Sequence, residues 1–517
     1  MSIAPLRVIG FFSLLALVAA CGSGEQRQSA RPGSAPKKTP AASYEKAPCP
    51  DPIYPDAPQL GLGPDVECGY LSVPQRRADP NSRKIKLAVA VRKSTSPDPR
   101  PDPVVYLAGG PGNPALIHNF DDWQLDRDLI LVDQRGTMAD DPFLSCPEVD
   151  RFLVDAIAIG AENPAFAEQS AAAVFACRQR LAGQVLDVAA YNTTESAADV
   201  ADLRVAMGID QWNVYGLSYG ADLALQTLRD HPQGIRSAVL DSVLPPQANL
   251  IESGWASAAA SFKAIFDGCA ADAACAAAFP DVRGEFARMV NELSASPLQV
   301  TVDDANGKPT DVVIDGYKLA GGVVAAAAQT PGRPARVPVM IHKLATGDPT
   351  DVATALTATT PPNLVGHGLR YGVLCAEAVS RTNADNVLAV GRHTLPDFPD
   401  SVLSRPAQAP SILRDCDQWK VPAAPPEVAA PARSAVPVLL ASGSFDSATP
   451  PSFAEEAAKT LPNSRLLVFP GTGHEVASNT PAAATCFLEV MRNFYDNPAD
   501  YNTDCVGRLQ IPPFATT

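Results

Sequence analysis

The chain has 517 residues, 46% of them hydrophobic, enough to bury more core than one simple domain requires. A net charge of −15 argues against nucleic acid or anionic lipid headgroups as partners. Fifty prolines point to rigid loops, and no internal repeat is present.

In chain order, Arg7 precedes an apolar run from Val8 to Ala20 that ends in Val18-Ala19-Ala20-Cys21. A short basic start, a short apolar stretch and small residues before a cleavage point describe an export signal over residues 1–20. The run is too short to span a bilayer comfortably. A cysteine directly after the small residues matches a bacterial lipobox, so Cys21 is expected to carry the lipid as the mature N-terminus. Residues 21–48, rich in Ser, Pro, Ala, Lys and Gln, read as a flexible tether. The expected location is therefore the bacterial cell envelope, with the membrane contacted through the lipid anchor alone.

From Cys49 the pattern turns globular. Lys84–Val91 alternates as a partly exposed strand, and Val104–Leu107, Leu129–Val132 and Ala238–Leu240 read as inner parallel strands with helices between them. Val104–Leu107 runs into Gly109-Gly110-Pro111-Gly112. Trp212–Tyr215 runs into Gly216-Leu217-Ser218-Tyr219-Gly220, and Ala221–Arg229 then reads as a helix. A serine hydroxyl is a weak nucleophile in water. A tight strand-to-helix turn exposes its Oγ and aims helix N-terminal amides at a reacting carbonyl. Flanking glycines leave room for such a turn.

Residues 246–435 form a long insertion, helical at Ala256–Phe266 and Gly284–Leu293 and proline-rich towards its end. Placed there, it is expected to cap Ser218, between core segments 49–245 and 436–517. Val436–Ala441 then reads as a buried strand leading to Asp446, and Arg465–Phe469 as another leading to Gly473-His474. Nucleophile, acid and base thus come in the order Ser218, Asp446, His474, each just past a strand end. In this reading His474 takes the proton of Ser218 and Asp446 holds its tautomer. The oxyanion hole is expected from the Tyr219 amide and a glycine amide, Gly110 or alternatively Gly109, since Pro111 has no N–H.

Ten cysteines remain when Cys21 is set aside. Export lets them pair. Sequential pairing is expected because consecutive cysteines are close in the chain: Cys49–Cys68, Cys146–Cys177, Cys269–Cys275, Cys375–Cys416 and Cys486–Cys505. The cysteines have no histidine at zinc-finger spacing, so neither a metal nor a cofactor is expected. His118, near the glycine turn, is a candidate substrate contact. His231, His342, His367 and His393 have no companions at ligand spacing.

Gly109-Gly110-Pro111-Gly112, Asp133-Gln134-Arg135-Gly136-Thr137, Gly216-Leu217-Ser218-Tyr219-Gly220, Asp446 with Thr449-Pro450-Pro451, and Gly473-His474 together resemble one group of proteins. This is the proline iminopeptidase and tripeptidyl aminopeptidase branch of the α/β-hydrolase serine peptidases, with its tripeptidyl-aminopeptidase-like (TAP-like) C-terminal region. Tyr191-Asn192-Thr193-Thr194 with Asp199 and Leu203-Arg204 resembles the helix before the nucleophile strand. The likeness runs from about Cys68 to Cys505. It implies an α/β-hydrolase fold, a mostly parallel sheet with flanking helices and a largely helical cap. It also implies a cap carboxylate for a substrate's α-ammonium, for which Glu377 is the candidate. The segment Asp133–Arg135 reads as a structural, ion-paired turn. Asn113-Pro114 and Met138-Ala139-Asp140-Asp141 depart from the group's pattern beside the expected cleft.

These readings converge on a lipid-anchored serine hydrolase that releases N-terminal residues from short peptides through an acyl-enzyme. The runner-up is a carboxylesterase or small-amide hydrolase with the same triad. A third reading is an envelope lipoprotein that binds without catalysis. The sequence leaves the oligomeric state open.

Overall fold

Nine strands form the central sheet of the computed structural model, which describes residues 42–51, 60, 62, 66–184, 186–324, 332–358 and 362–517. The signal segment, Cys21 and the tether to residue 41 lie outside the described residues. The strands are β1 (Ser43–Lys46), β2 (Val66–Pro74), β3 (Lys84–Arg92), β4 (Arg100–Leu107), β5 (Arg127–Val132), β6 (Trp212–Leu217), β7 (Ile235–Asp241), β10 (Val438–Gly443) and β11 (Ser464–Phe469). Strands β8 (Leu298–Asp303) and β9 (Pro309–Ile314) pair separately as an antiparallel hairpin. The sheet order is β1-β2-β3-β5-β4-β6-β7-β10-β11, antiparallel from β1 to β5 and parallel from β5 to β11. Parallel strands need both faces covered, and the central stretches Val104–Leu107, Val214–Leu217, Ala238–Leu240 and Val438–Ala441 of β4, β6, β7 and β10 are accordingly buried and free of charged residues.

Helices relevant to the site are α1 (Pro147–Asp155), α2 (Pro164–Gly183), α3 (Thr193–Ala206), α4 (Tyr219–Asp230), α5 (Gly254–Ala271), α6 (His367–Val373), α7 (Ile412–Trp419) and α8 (Pro481–Asp496). One sheet face packs on α3, α4 and the cap, through Val105, Leu107, Val214 and Leu240 against Leu223 and Leu228. The other packs on α8, through Tyr106, Tyr215, Val239 and Leu439. The alternation of strand side chains divides the two cores.

Two sequence expectations need correction. Ser43–Lys46, expected within the tether, is an edge strand: Tyr44 packs on the core, and a Cβ on Gly69 would stand 2.7 Å from its ring. The cap is not confined to 246–435. Helices α1 and α2 join it, with Ser411 Oγ donating to Ser170 Oγ at 2.8 Å and Arg178 Nε to the Trp419 carbonyl at 3.1 Å. The cap also holds the β8–β9 hairpin. Its half-exposed strands, such as Leu298-Gln299-Val300-Thr301-Val302-Asp303, lack the long apolar run by which the inner strands were read.

The structure joins Cys49–Cys68, Cys146–Cys177, Cys269–Cys275, Cys375–Cys416 and Cys486–Cys505. Three fasten cap segments: Cys146–Cys177 ties α1 to α2, Cys269–Cys275 ties the end of α5 to the short helix Ala273–Ala278, and Cys375–Cys416 ties the turn after α6 to α7. Among the described residues, no helix is long and apolar enough to cross a membrane.

Candidate active site

Ser218 sits between β6 and α4 with φ 57° and ψ −118°, a region that a residue with a Cβ enters only when its surroundings force it. The surroundings are crowded. A Cβ on Gly216 would stand 2.4 Å from the Gly220 carbonyl oxygen, and one on Gly220 would stand 2.0 Å from that of Leu107. Glycine at both places lets α4 start directly over the sheet edge. The Ser218 amide donates to the Asp241 carbonyl at 2.9 Å, which fixes the turn.

Asp446 lies past β10, 1% exposed, and its Oδ2 meets His474 Nδ1 at 2.8 Å. The same carboxylate accepts from the amides of Ala448 and Thr449 at 2.8 and 2.9 Å and from Thr449 Oγ1 at 2.8 Å. Burial alone would push Asp446 up. The facing His474 and these hydrogen bonds outweigh it and hold Asp446 below the usual carboxylate range. Burial would likewise push His474 down, but Asp446, Asp241 and Glu475 raise it above the ordinary imidazole value. With Nδ1 committed to Asp446, Nε2 is the nitrogen left for substrate chemistry. Neither it nor Ser218 Oγ has a hydrogen-bond partner among the described residues.

The His474 loop is held by a second buried carboxylate that the sequence reading did not single out. Asp241, at the end of β7, accepts from the amides of Val476 and Ala477 at 2.9 and 3.1 Å and from the Tyr215 hydroxyl at 2.8 Å. Ser242 Oγ accepts from the Glu475 amide at 2.8 Å, and Glu475 is left-handed at φ 64°. The loop that carries His474 is thereby pinned to the strand next to the one that carries Ser218. The available signal was the one used for Asp446, an aspartate just past a buried strand.

The glycine turn faces Ser218 directly. A Cβ on Gly109 would stand 3.1 Å from Ser218 Cβ. Gly110 has φ 114° and is followed by a cis bond to Pro111. The amides of Gly109, Gly110 and Tyr219 have no acceptor among the described residues. Tyr219 opens α4, where helical amides lack partners inside the helix. Both glycines therefore remain available as the second oxyanion donor.

The Asp133–Arg135 segment is structural, but it is not paired with itself. Arg135 Nε and Nη2 each donate to Asp199 at 2.7 Å, and Nη1 donates to the carbonyls of Gln75 and Ala190 at 2.7 Å. Asp133 instead accepts from the amides of Ala115, Leu116 and Ala139. It thus props the chain that follows the glycine turn.

Glu377 is buried, and both its oxygens are engaged by Thr193. The amide donates to Oε1 at 2.8 Å and Oγ1 to Oε2 at 2.7 Å. Thr193 Oγ1 in turn meets the Tyr219 hydroxyl at 2.9 Å. Glu377 thus ties the cap to the N-terminus of α3 while lining a cavity of about 30 Å³ with Pro111, Tyr219 and Asp222. Burial, opposed by the Thr193 hydrogen bonds, pushes Glu377 up to about 7; burial and the nearby Glu377 push Asp222 to about 7 as well. His118 lies beyond the glycine turn, its ring centroid 5.5 Å from that of Tyr106. It lines a cavity of about 630 Å³ with Trp123, Tyr215 and Glu475 on the sheet face that carries α8.

Among known proteins, residues 102–295 match the family described as alpha/beta hydrolase fold and residues 402–503 match the one described as TAP-like protein. The chain is 28% identical over 211 residues to tripeptidyl aminopeptidase of Streptomyces lividans, 38% of either chain. It is 26% identical over 452 residues to the serine protease Hip1 of Mycobacterium tuberculosis, covering 81% of this chain and 83% of that one. It is 28% identical over 152 residues to a probable proline iminopeptidase of Streptomyces coelicolor, 29% of this chain and 35% of the relative. The match thus spans well under half the length of the tripeptidyl aminopeptidases.

Proposed function

We propose that this chain, which resembles the α/β-hydrolase serine hydrolases of the proline iminopeptidase and tripeptidyl aminopeptidase branch, is an aminopeptidase of prolyl or tripeptidyl type. It would release N-terminal residues from short peptides through an acyl-enzyme on Ser218. The observation that carries this reading is the 2.8 Å contact of His474 Nδ1 with buried Asp446, beside a serine held in a strained turn.

The steps follow from the groups present. His474 Nε2 accepts the Ser218 proton as Oγ attacks the carbonyl carbon, and Asp446 stabilises the imidazolium that forms. The Tyr219 amide, with that of Gly110 or Gly109, takes the negative oxygen. His474 then returns the proton to the leaving amine. A water, deprotonated in the same way, cleaves the acyl-enzyme and frees Ser218.

Peptidase relatives support the peptide reading, and Glu377 is its candidate anchor for an α-ammonium. The carboxylesterase or small-amide reading is favoured by one observation: Thr193 already engages both Glu377 oxygens. A panel of aminoacyl- and tripeptidyl-amides beside acyl esters separates the two. Faster turnover of peptides with a free N-terminus than of their N-acetylated forms supports the aminopeptidase. Equal turnover of both forms moves the assignment to the esterase. We place the enzyme at the bacterial cell envelope, anchored through Cys21. Cys21→Ser should release soluble protein or leave unprocessed precursor, and an unmodified N-terminus after cleavage elsewhere would reject the anchor.

A further inference from the structure

The cavity beside Glu377 holds about 30 Å³, little more than water needs, whereas the one lined by the loop after His474 holds about 630 Å³. The two share no lining residue, and neither Ser218 nor His474 lines the larger one. A volume of roughly 300–1,000 Å³, aromatic walls and a few converging polar groups are the features of small-molecule sites. The larger cavity has the walls. Tyr106 and Tyr215, paired across strands β4 and β6, stack with ring centroids 5.7 Å apart. Trp123 meets Tyr215 at 4.6 Å and Phe120 meets Trp123 at 4.7 Å. Rings that pack on one another in this way brace the space they border.

It also has the polar groups, and each is short of partners. Tyr106 is 1% exposed, yet its hydroxyl has no hydrogen-bond partner among the described residues. A buried hydroxyl left open in this way is costly unless something in the cavity completes it. Tyr215 differs, since its hydroxyl donates to Asp241 at 2.8 Å. The His118 ring lies against Tyr106 and Phe120 without a hydrogen bond, and burial pushes it below the ordinary imidazole value. Glu475 sits in the left-handed region at φ 64°, an outlier of the kind that collects at functional sites. Burial and Asp241 push its carboxyl above the usual range, with His474 and the Ser478 hydroxyl opposing. Its charge acts on the hydroxyls of both Tyr106 and Tyr215. Arg492 lines the same cavity, but its Nη1 donates to the Trp123 carbonyl at 3.2 Å and it makes no ion pair with Glu475.

We propose that this cavity is a second binding site, which takes a protonated amine on an aromatic or aliphatic body with its ammonium at Glu475. A primary ammonium has three donors. The Glu475 carboxylate, the Tyr106 hydroxyl oxygen and the bare nitrogen of a neutral His118 are acceptors that line one space. The charge-assisted bond to Glu475 is the strongest of these and sets the preference for a cation over a neutral molecule of the same shape. The rings cover the apolar body, and an anion in its place would meet Glu475. The site stands apart from the Ser218 chemistry, so it does not rest on the peptidase reading.

The test is calorimetric titration of the wild-type enzyme at neutral pH with three probes of similar shape: 2-phenylethylamine, 2-phenylethanol and phenylacetate. The amine should bind about tenfold or more tighter than the alcohol, the ratio a charge-assisted pair supplies, and the anion weakest of the three. No binding of the amine, or equal Kd values for amine and alcohol, overturns the proposal. Glu475→Gln should bring the amine to the Kd of the alcohol without moving the alcohol itself. Glu377→Gln should leave the amine where it was. Loss of the amine in Glu377→Gln and its retention in Glu475→Gln would put the ammonium at the cap and overturn the proposal. Should Glu475→Gln fail to fold, Ala484→Phe decides. This half-exposed residue of α8 lines the cavity, and a phenylalanine there should fill it and abolish binding of amine and alcohol together. A folded Ala484→Phe protein that binds the amine as wild type does overturns the proposal.

Discussion

The sheet edge and the cap solve different problems. At the edge, three strand ends place Ser218, Asp446 and His474, and each geometry follows from local rules: glycines where a Cβ would collide, an aspartate past a buried strand, a histidine on the next loop. In the cap, α1, α2, α6, α7 and the β8–β9 hairpin come from distant stretches of chain, and three disulfides fasten cap segments. We propose that the chemistry sits on rigid, parallel strands and recognition on cap elements whose relative placement is set by tertiary packing. Substitutions at the edge should therefore abolish turnover of every substrate, whereas cap substitutions should change which substrate is turned over.

The largest expected effect tests the edge. Ser218→Ala should lower kcat by about 10⁴-fold or more for peptides and esters alike, with circular dichroism and melting unchanged. A folded variant with near-wild-type turnover would break the comparison at its root. Asp446→Asn should cost on the order of 10⁴-fold, since an amide no longer stabilises the imidazolium. Thr449→Val should cost less, about tenfold. It removes one hydrogen bond to the Asp446 carboxylate and leaves the two amide donors in place.

The pH dependence sharpens the same point. His474 must be neutral to accept the Ser218 proton, and its value is raised above the ordinary 6.5. The acid limb of kcat/KM should therefore have its midpoint above 6.5, with activity lost as pH falls through it. Asp241→Asn removes one of the negative charges that raise His474, so the midpoint should move to lower pH while Asp446 stays in place. A midpoint that moves upward would contradict the stated electrostatics.

The smallest effect belongs to the cap. Glu377 is raised from 4.5 to about 7, so its neutral form is favoured in the folded state. Its ionisation should cost stability progressively as pH rises from 4.5 to about 7, and nothing further above that. Glu377→Gln should narrow the fall in Tm between pH 5 and pH 8. A variant whose Tm falls as steeply as wild type would mean that Glu377 does not titrate in this window.

How much was legible in the sequence divides along the same line. Trp212–Leu217, Val438–Gly443 and Ser464–Phe469 were readable because apolar runs ended in motifs with steric or chemical meaning. Ser43–Lys46 was not, because four mostly polar residues become a strand only when β2 offers an edge and Cys49 is tied to Cys68. That α1 and α2 belong with the cap was hidden, since helical periodicity says which face is buried and not which neighbour buries it. Asp241 was missed although its signal, an aspartate just past a buried strand, was present in the sequence.

The central claim is that Ser218 is the nucleophile and that His474 activates it. Fluorophosphonate labelling followed by peptide mapping addresses both parts in one measurement. The account predicts a single adduct on Ser218 in wild type and its loss in folded His474→Gln. An adduct on another serine, or equal labelling of Ser218 without His474, would contradict it.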